Sequence, residues 1–401
     1  AINMSLPNVN ITLGNGNIGT VTLSDDGIAG LILTGKAVSS TLELNKVYVI
    51  ASTGDLKKLG LTAENNPLAY KEVLGFYESA GDGAELHLLV VDAAKTLTEI
   101  CSMEAGSPLK TLIDSAAGRI RLVGINRNPE DEYEPTVTSG IDQDVVTAVT
   151  AAQQVIDSYL KQIAPFVVLL PALAWNGTTD SLYQPREGSQ DSVSVVMASD
   201  GKYGASEYYS AAIGKVLGRL ATCAVNISLA RVRDGSLVAD GYLTNGKKPE
   251  ESYSFWNALH DAGYIFYRTY IGKNGYYLND DSTAVATTND YHRLSLTRVI
   301  QKALVICYKT YIDEILDSVA VDPETGKLPQ PMCKYYEQLL VRAVNTNMEG
   351  EISGFTAYID PNQDLISTNA LKVRAKVVPT ALLKEINVDL SFDNPFNKTS
   401  E

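Results

Sequence analysis

Hydrophobic and polar residues alternate along the last segment of the chain. Between Leu382 and Phe392 one side of the segment is apolar and the other is polar, which is typical of a strand with one buried face. The apolar positions are Ile386, Val388, Leu390 and Phe392. A shorter alternation near the beginning of the chain has the apolar positions Val9, Ile11 and Leu13. Because chain ends are usually frayed unless they are held, we interpret residues 1–22 and 382–401 as arms that pair with a sheet.

The middle of the chain alternates between apolar, strand-like runs and helical patterns. The predicted strands are Ile28–Leu33, Lys46–Ala51, Glu85–Asp92, Arg119–Asn126, Pro165–Leu170, Ser192–Ala198 and Asn226–Val232. The predicted helices are Asn66–Ala80, Asp142–Gln162 and Ser206–Ala224. Apolar strands that alternate with helices favour a sheet covered on both faces. We therefore predict an α/β domain over residues 23–250.

The pattern changes after a segment rich in Gly, Lys and Asp at residues 234–251. The predicted elements of this second part are a short helix Ser252–Ala262, strands Tyr264–Tyr270 and Tyr276–Leu278, a long helix that Asp290 could cap, a helix Met332–Asn345, and strands Gly354–Ile359 and Leu371–Val378. They indicate an α+β domain over residues 251–381.

Charge and composition exclude several classes of protein. The 401 residues carry a net charge of −14, which disfavours binding to nucleic acid or to an anionic membrane. The longest apolar run, Phe166–Trp175, is too short to span a bilayer. The four cysteines are scattered, so reduced, buried thiols are the simplest interpretation. Nine of the 22 tyrosines lie between Tyr253 and Tyr311, where an interface and a Tyr-rich core rim are equally consistent with the sequence.

The apparent catalytic motifs lack the sequence context that their chemistry requires. Gly14–Gly19 fits the G-x-G-x-x-G pattern, but a dinucleotide site requires a helix directly after the loop, and an alternating segment with Val21 and Leu23 follows instead. The three histidines share no ligand spacing. The acidic segments Asn279–Ser282 and Asp360–Asp364 are more typical of turns than of cation sites. We predict no catalytic residue, no cofactor and no metal, and therefore no enzyme.

The order of these elements resembles that of contractile tail sheath proteins from contractile-tailed phages and related bacterial injection systems. The similar segments, in order, are Val47–Ser52, Leu86–Val91, Gly263–Tyr270, the turn Asn279–Thr283, the two long helices, Gly350–Phe355, the loop Asp360–Asp364 and Leu371–Val373. Residues 110–250 match least. The resemblance covers most of the chain, and its specificity comes from the order of the segments.

The resemblance implies a structural subunit whose terminal arms join the sheets of neighbouring copies. It implies a helical lattice that surrounds an inner tube and drives the tube into a target envelope on contraction. The implied partners are further copies of the chain, the inner tube protein, and baseplate and terminal cap proteins, with no nucleic acid and no membrane insertion. Assembly in the bacterial cytoplasm is also implied, as part of a phage tail or an injection particle, between which the sequence does not discriminate.

The resemblance also implies that residues 23–250 form an outer α/β domain and residues 251–381 an inner α+β sheath domain, and that a helix of the inner domain faces the tube. The candidates are Asp290–Ser318 and Met332–Asn345, and we select Arg298 and Lys302 as tube contacts, although an ordinary solvated face would carry the same charges. Two other functions stay open at this stage. One is an α/β enzyme in the middle domain, and the other is a monomeric binding module whose termini pair with its own sheet.

Overall fold

The computed structural model describes residues 25–130 and 132–396. The strands are β1 (Ala29–Gly35), β2 (Val47–Ile50), β3 (Leu86–Asp92), β4 (Leu122–Asn126), β5 (Val167–Pro171), β6 (Ser189–Gln190), β7 (Val193–Val196), β8 (Ala198–Lys202), β9 (Tyr209–Ala211), β10 (Tyr242–Leu243), β11 (Tyr264–Ile265), β12 (Tyr267–Arg268), β13 (Tyr277–Leu278), β14 (Ala284–Val285), β15 (Ile352–Tyr358) and β16 (Arg374–Pro379). The α-helices are α1 (Gly54–Lys58), α2 (Pro67–Ala80), α3 (Leu97–Ile100), α4 (Pro108–Ser115), α5 (Gln143–Leu160), α6 (Ile213–Thr222), α7 (Trp256–Ala262), α8 (Leu294–Tyr311), α9 (Gln330–Asn347) and α10 (Leu365–Thr368). The protein is a mixed α/β structure, as predicted.

A seven-stranded sheet forms the centre of the larger part of the molecule. Its strand order is β11-β7-β5-β4-β1-β3-β2, and every neighbouring pair is parallel except β2 with β3. Strands β4, β5 and β7 are buried along their whole length, which explains why they read as continuous apolar runs rather than as alternating patterns. Six of the seven predicted strand runs before residue 250 lie in this sheet.

The seventh predicted run, Asn226–Val232, is not a strand. A turn forms there instead, because the amide of Ala230 donates to the Ser228 hydroxyl at 3.2 Å and the amide of Arg231 donates to the Ser228 carbonyl at 3.0 Å. A short 3-10 helix at Val232–Asp234 follows. Serine side chains compete with strand pairing in this way, and the apolar pattern alone did not reveal it.

Two helices on one face of the sheet touch backbone to backbone. Helix α6 packs against α2 through Gly214 and Gly218, where an added Cβ would lie 2.0 Å from the Glu72 carbonyl oxygen and 2.3 Å from the Phe76 carbonyl oxygen. Helices α3, α4 and α5 cover the opposite face. Alternate residues of β1 therefore serve different layers: Leu31 packs toward α2 and α6, and Ile32 toward α4 and α5.

The larger part of the molecule continues beyond residue 250. Strand β11 forms the edge of the central sheet, and Leu278 and Leu294 belong to the core on the α2–α6 face. The predicted domain boundary at residue 250 is therefore too early, because the Gly- and Lys-rich segment that suggested it contributes strand β10 and the buried Leu243 to this part. The predicted strand Tyr264–Tyr270 is divided between β11 in the central sheet and β12, which pairs with β13 as a hairpin.

Helices α8 and α9 and the β15–β16 hairpin form the C-terminal part. Their core contains Val299, Ala303, Leu340, Val344 and Phe355. Helix α8 begins at Leu294, not near Asp290, because its capping group comes from a distant loop: the Asp281 carboxylate accepts from the amide of Ser295 at 2.9 Å. Asp281 precedes the helix by 13 residues, so local patterns for helix caps did not identify it.

The predicted terminal strand Leu382–Phe392 is not a strand in this structure. Residues 380–394 have no helix or strand, and no backbone hydrogen bond joins residues 381–392 to the rest of the described chain. Ladder partners are required for a strand, and the described part of this copy supplies none. The N-terminal positions Val9, Ile11 and Leu13 lie outside the described residues.

The close contact between α2 and α6 predicts a strong effect of one methyl group. Gly214→Ala should lower the free energy of unfolding by about 1–3 kcal/mol, because the new Cβ must displace the backbone of α2. Gly54→Ala is the matched control, since its Cβ would meet only the Ser52 hydroxyl at 3.4 Å. Urea denaturation of both variants measures the difference, and equal stability would contradict the backbone contact.

Candidate subunit interface

Exposed apolar surface is concentrated in the last quarter of the chain. Of nineteen large apolar side chains that are exposed in the described residues, fifteen lie between Tyr308 and Phe396. Soluble monomers seldom gather so many in one region, and such surfaces mark contacts with other proteins. The candidate interface therefore lies in the C-terminal part rather than around the central sheet.

The β15–β16 hairpin offers two open edges within this region. The hairpin pairs Phe355 with Val377 and Tyr358 with Arg374, and no further strand of the described chain joins it. Phe355 and Val377 face the helices, whereas Tyr358 and Val378 are exposed. A two-stranded sheet is marginally stable by itself, and its unpaired N–H and C=O groups are a template for additional strands.

The segment that follows the hairpin keeps its apolar residues in solvent. The exposed fraction rises from 74% for Ile386 and 76% for Val388 to 93% for Leu390 and 107% for Phe392. All four residues come from the alternating pattern that the sequence analysis identified. We call residues 382–396 the C-terminal arm; its apolar positions have no cover in the described part of this copy.

Arg298 does not lie on the surface, so its assignment as a tube contact is wrong. The side chain is 3% exposed, and its Nη2 donates to the carbonyl oxygens of Asp26 at 3.4 Å and Cys223 at 3.3 Å. Burial lowers the pKa of its guanidinium. The helical face that carries Arg298 is turned toward the larger part of the molecule, which the sequence pattern of α8 did not indicate.

Lys302 connects three segments instead of projecting into solvent. Its Nζ lies 2.6 Å from Asp26 Oδ2 and 2.8 Å from Glu351 Oε2. Burial lowers the pKa of Lys302, but the two hydrogen-bonded carboxylates outweigh burial and raise it. We call Arg298, Lys302, Asp26 and Glu351 the joint, because they attach α8 to both the beginning of the central sheet and the hairpin. The structure gives Lys302 a role within the subunit, and the assignment as a tube contact is not retained.

The other segments considered for chemistry have structural partners where they are described. Asp280 pairs with Lys384, Asp281 caps α8, and His87 lies 2.8 Å from Glu85. No group of three or more His, Cys, Asp or Glu side chains suited to a metal ion occurs within residues 25–130 and 132–396. The glycine motif Gly14–Gly19 lies outside these ranges. Within the same ranges, none of the helices combines the length and hydropathy needed to cross a bilayer.

A cavity of about 500 Å³ lies at the carboxyl end of β1, where α/β sheets often bind ligands. Its lining includes Thr34, Lys36, Asn66 and Asn128. The carboxyl group with a strongly raised pKa, Glu72, is elsewhere: burial raises its pKa to about 8, and it accepts from the amide of Gly214 at 2.6 Å between α2 and α6. Glu72 does not line the cavity. The structure therefore does not place this acid of raised pKa in the ligand-sized cavity, which is the arrangement that would favour an enzyme.

The sequence prediction omitted some exposed apolar residues of the candidate interface. Tyr358, Val378 and Ile366 are exposed apolar residues on or beside the hairpin. The alternation within Leu371–Val378 was a usable signal for Val378, because it places that residue opposite the inward-facing Val377. Ile366 lies in a single-turn helix and carries no comparable signal.

Two family models match consecutive parts of the sequence. The model for the DUF2586 N-terminal domain matches residues 6–282, and the model for the DUF2586 C-terminal domain matches residues 290–397. The chain belongs to the DUF2586 family. The division between the two models falls in the connection before α8, which agrees with the extent of the central sheet and its cores. A comparison with curated proteins found no match.

Solved structures share the fold of this DUF2586 protein over nearly its full length. A chain of the contracted helical sheath of the anti-feeding prophage is similar with a TM-score of 0.63 at 14% identity, covering 97% of this chain and 99% of that chain. A chain of the anti-feeding prophage baseplate structure gives the same values. A chain of the contracted sheath complex of PVC, an extracellular contractile injection system, has a TM-score of 0.55 at 12% identity, covering 97% and 98%. The protein has the fold of contractile sheath proteins, which confirms the predicted resemblance at the level of the fold.

The contacts of the joint predict that Lys302→Glu destabilises the folded chain. A third carboxylate beside Asp26 and Glu351 should lower the free energy of unfolding by about 1–3 kcal/mol, because two half-buried acids lose their cation. Lys309→Glu, on the exposed face of the same helix, should change it by less than about 0.5 kcal/mol. Urea denaturation provides the comparison. Equal stability of the two variants would contradict the joint.

Proposed function

We propose that this DUF2586 protein is the structural subunit of a contractile sheath. The observation that carries the proposal is the fold shared with a chain of a contracted helical sheath across 97% of the sequence. On this basis the subunits polymerise helically around an inner tube, and contraction of the lattice drives the tube into a target envelope. The proposed role is mechanical, and no catalytic residue is assigned.

Strand exchange is the proposed link between subunits. The β15–β16 hairpin has open edges, and the C-terminal arm carries an uncovered apolar face of strand-like period. We propose that Ile386, Val388, Leu390 and Phe392 of one subunit extend the sheet of a neighbour. The N-terminal positions Val9, Ile11 and Leu13 of another copy are the proposed partners of this added strand.

The energetics make one exchanged arm a tether rather than the source of mechanical work. Burial of four apolar side chains at about 1.5–3 kcal/mol each contributes about 6–12 kcal/mol. Ordering roughly eight backbone residues costs about 8–16 kcal/mol. Ladder hydrogen bonds add about 0.5–1.5 kcal/mol each, so the sum is close to zero for a single arm. In a lattice each subunit gives and receives arms, and the resulting high effective concentration holds the copies together.

The remaining partners are part of the same proposal. They are the inner tube protein and the baseplate and cap proteins at the ends of the lattice. Assembly would occur in the bacterial cytoplasm, within a phage tail or an injection particle. Nucleic acid and membranes are not proposed as partners, because the net charge of −14 disfavours binding to either.

Loss of the arm should abolish polymerisation but not folding. A variant that lacks residues 385–401, and therefore keeps Lys384 paired with Asp280, should remain soluble with unchanged circular dichroism and should form no tubes, because the uncovered apolar face is removed and the central sheet is not touched. Negative-stain electron microscopy of the purified protein is the measurement. Normal sheaths from the truncated protein would contradict strand exchange.

A pair of full-length variants separates the two faces of the arm. Replacement of the apolar positions by serine (Ile386→Ser, Val388→Ser, Leu390→Ser and Phe392→Ser) should prevent tubes as the truncation does. The matched control changes the polar face (Asn387→Ser and Asp389→Asn) and should assemble normally. If both variants assemble equally, the apolar face does not make the contact; if the unaltered protein yields only monomers, the sheath function itself is excluded.

A further inference from the structure

The base of the C-terminal arm is attached to the larger part of the molecule at two points. The Asn226 side-chain amide donates to the Thr380 hydroxyl at 3.3 Å. Four residues later, the Lys384 ammonium donates to Asp280 Oδ2 at 2.5 Å. Residues 385–392 are exposed and make no hydrogen bond to the rest of the described chain. Lys384 is therefore the last described attachment before the apolar positions of the arm.

Asp280 is a buried carboxylate that requires a cation. Its side chain is 4% exposed, and its Oδ1 accepts only from the amide of the next residue, Asp281, at 2.9 Å. Burial raises the pKa of Asp280, but the charge and hydrogen bond of Lys384 outweigh burial and hold it below its usual range. An ionised carboxylate at this depth is costly without a partner, so the arm supplies a charge that the larger part of the molecule needs.

A histidine that becomes a cation when protonated lies next to the same oxygen. Nε2 of His260 lies 3.9 Å from Asp280 Oδ2. Asn279 determines which nitrogen of the neutral His260 ring carries the proton. The Oδ1 of Asn279 accepts from the amide of Phe266 at 2.8 Å. The Nδ2 of Asn279 must then donate, and it lies 3.2 Å from Nδ1 of His260. Nδ1 is thus the acceptor, and the proton of the neutral ring is on Nε2, toward Asp280.

We propose that Asp280 binds Lys384 and thereby fixes the point from which the C-terminal arm leaves its own subunit, and that His260 competes with Lys384 for Asp280. We call Asp280 the socket. The proposal rests on the proposed function, because an arm needs a fixed origin only if it reaches a neighbour. With Lys384 seated, the twelve residues 385–396 extend at most about 40 Å. Lys384 is then a positioning residue that limits which neighbouring sheet the arm can reach.

Competition between the two cations makes the socket sensitive to pH. The charged groups that face His260 are Asp280, Lys384, Asp261 and Arg186. Burial lowers the pKa of His260, Asp280 raises it, and Lys384 lowers it. Departure of Lys384 removes a repulsion and leaves the attraction of Asp280, so the pKa of His260 is higher when the arm is released. By linkage, protons bind more tightly to the released form, and a fall in pH through the pKa of His260 favours release.

The titration of His260 tests the socket in the full-length chain before it assembles. The protein has three histidines, so the ring signals of selectively labelled His260, His87 and His292 can be followed by NMR. Lys384→Gln should raise the pKa of His260, and Asp280→Asn should lower it. Lys273→Gln removes the same charge from an exposed turn and should leave His260 unchanged.

Assembly of the same variants tests the positioning role. Lys384→Gln keeps the apolar arm but should lose tube yield at limiting protein concentration relative to Lys273→Gln, with the loss seen by electron microscopy. An unchanged His260 titration in Lys384→Gln overturns the socket, and equal tube yields overturn the positioning role. If the unaltered protein never assembles, the sheath function fails while the titration still decides the socket. Lys384 is partly exposed, so this variant remains informative even if Asp280→Asn does not fold.

Discussion

The open edges of the β15–β16 hairpin are the constraint on which the proposed assembly depends. Backbone N–H and C=O groups require partners, and two strands by themselves are marginal. The described chain places helices α8 and α9 against one face of the hairpin and leaves its edges open. An arm with an uncovered apolar face follows directly in the sequence. In the proposed strand exchange, the arm of one copy extends the open edge of the hairpin in a neighbouring copy.

The joint gives the hairpin a fixed place relative to the central sheet. Arg298 and Lys302 both lie on α8, and they contact the start of the sheet through Asp26 and the hairpin through Glu351. A tether transmits force only if its two ends are fixed to rigid bodies. In the proposed lattice, the buried charges of the joint therefore have a role that exposed charges on the same helix do not.

Much of the fold was predictable because it depends on local patterns. Runs such as Glu85–Asp92 and Pro165–Leu170 became β3 and β5, and the helices α2, α5 and α9 lie close to their predicted bounds. Apart from the local turn at Ser228, the failures share a physical cause, which is that a distant partner decided the outcome. Asp281 caps α8 from another loop, and β11 joins a sheet whose other strands end about seventy residues earlier. Which face of α8 is exposed likewise depends on the contacts of Arg298 and Lys302 with Asp26, which lies far away in the sequence.

The sequence by itself determined the alternation of Ile386, Val388, Leu390 and Phe392, because a two-residue period requires no knowledge of the partner. It also determined the order of elements that carries the resemblance to sheath proteins. Only the tertiary structure decided that these four side chains remain uncovered within the described chain, that Arg298 is buried, and that Lys384 meets Asp280 across 104 residues of sequence. Such contacts depend on where the fold brings two segments together, and neither segment carries a local signal of the other.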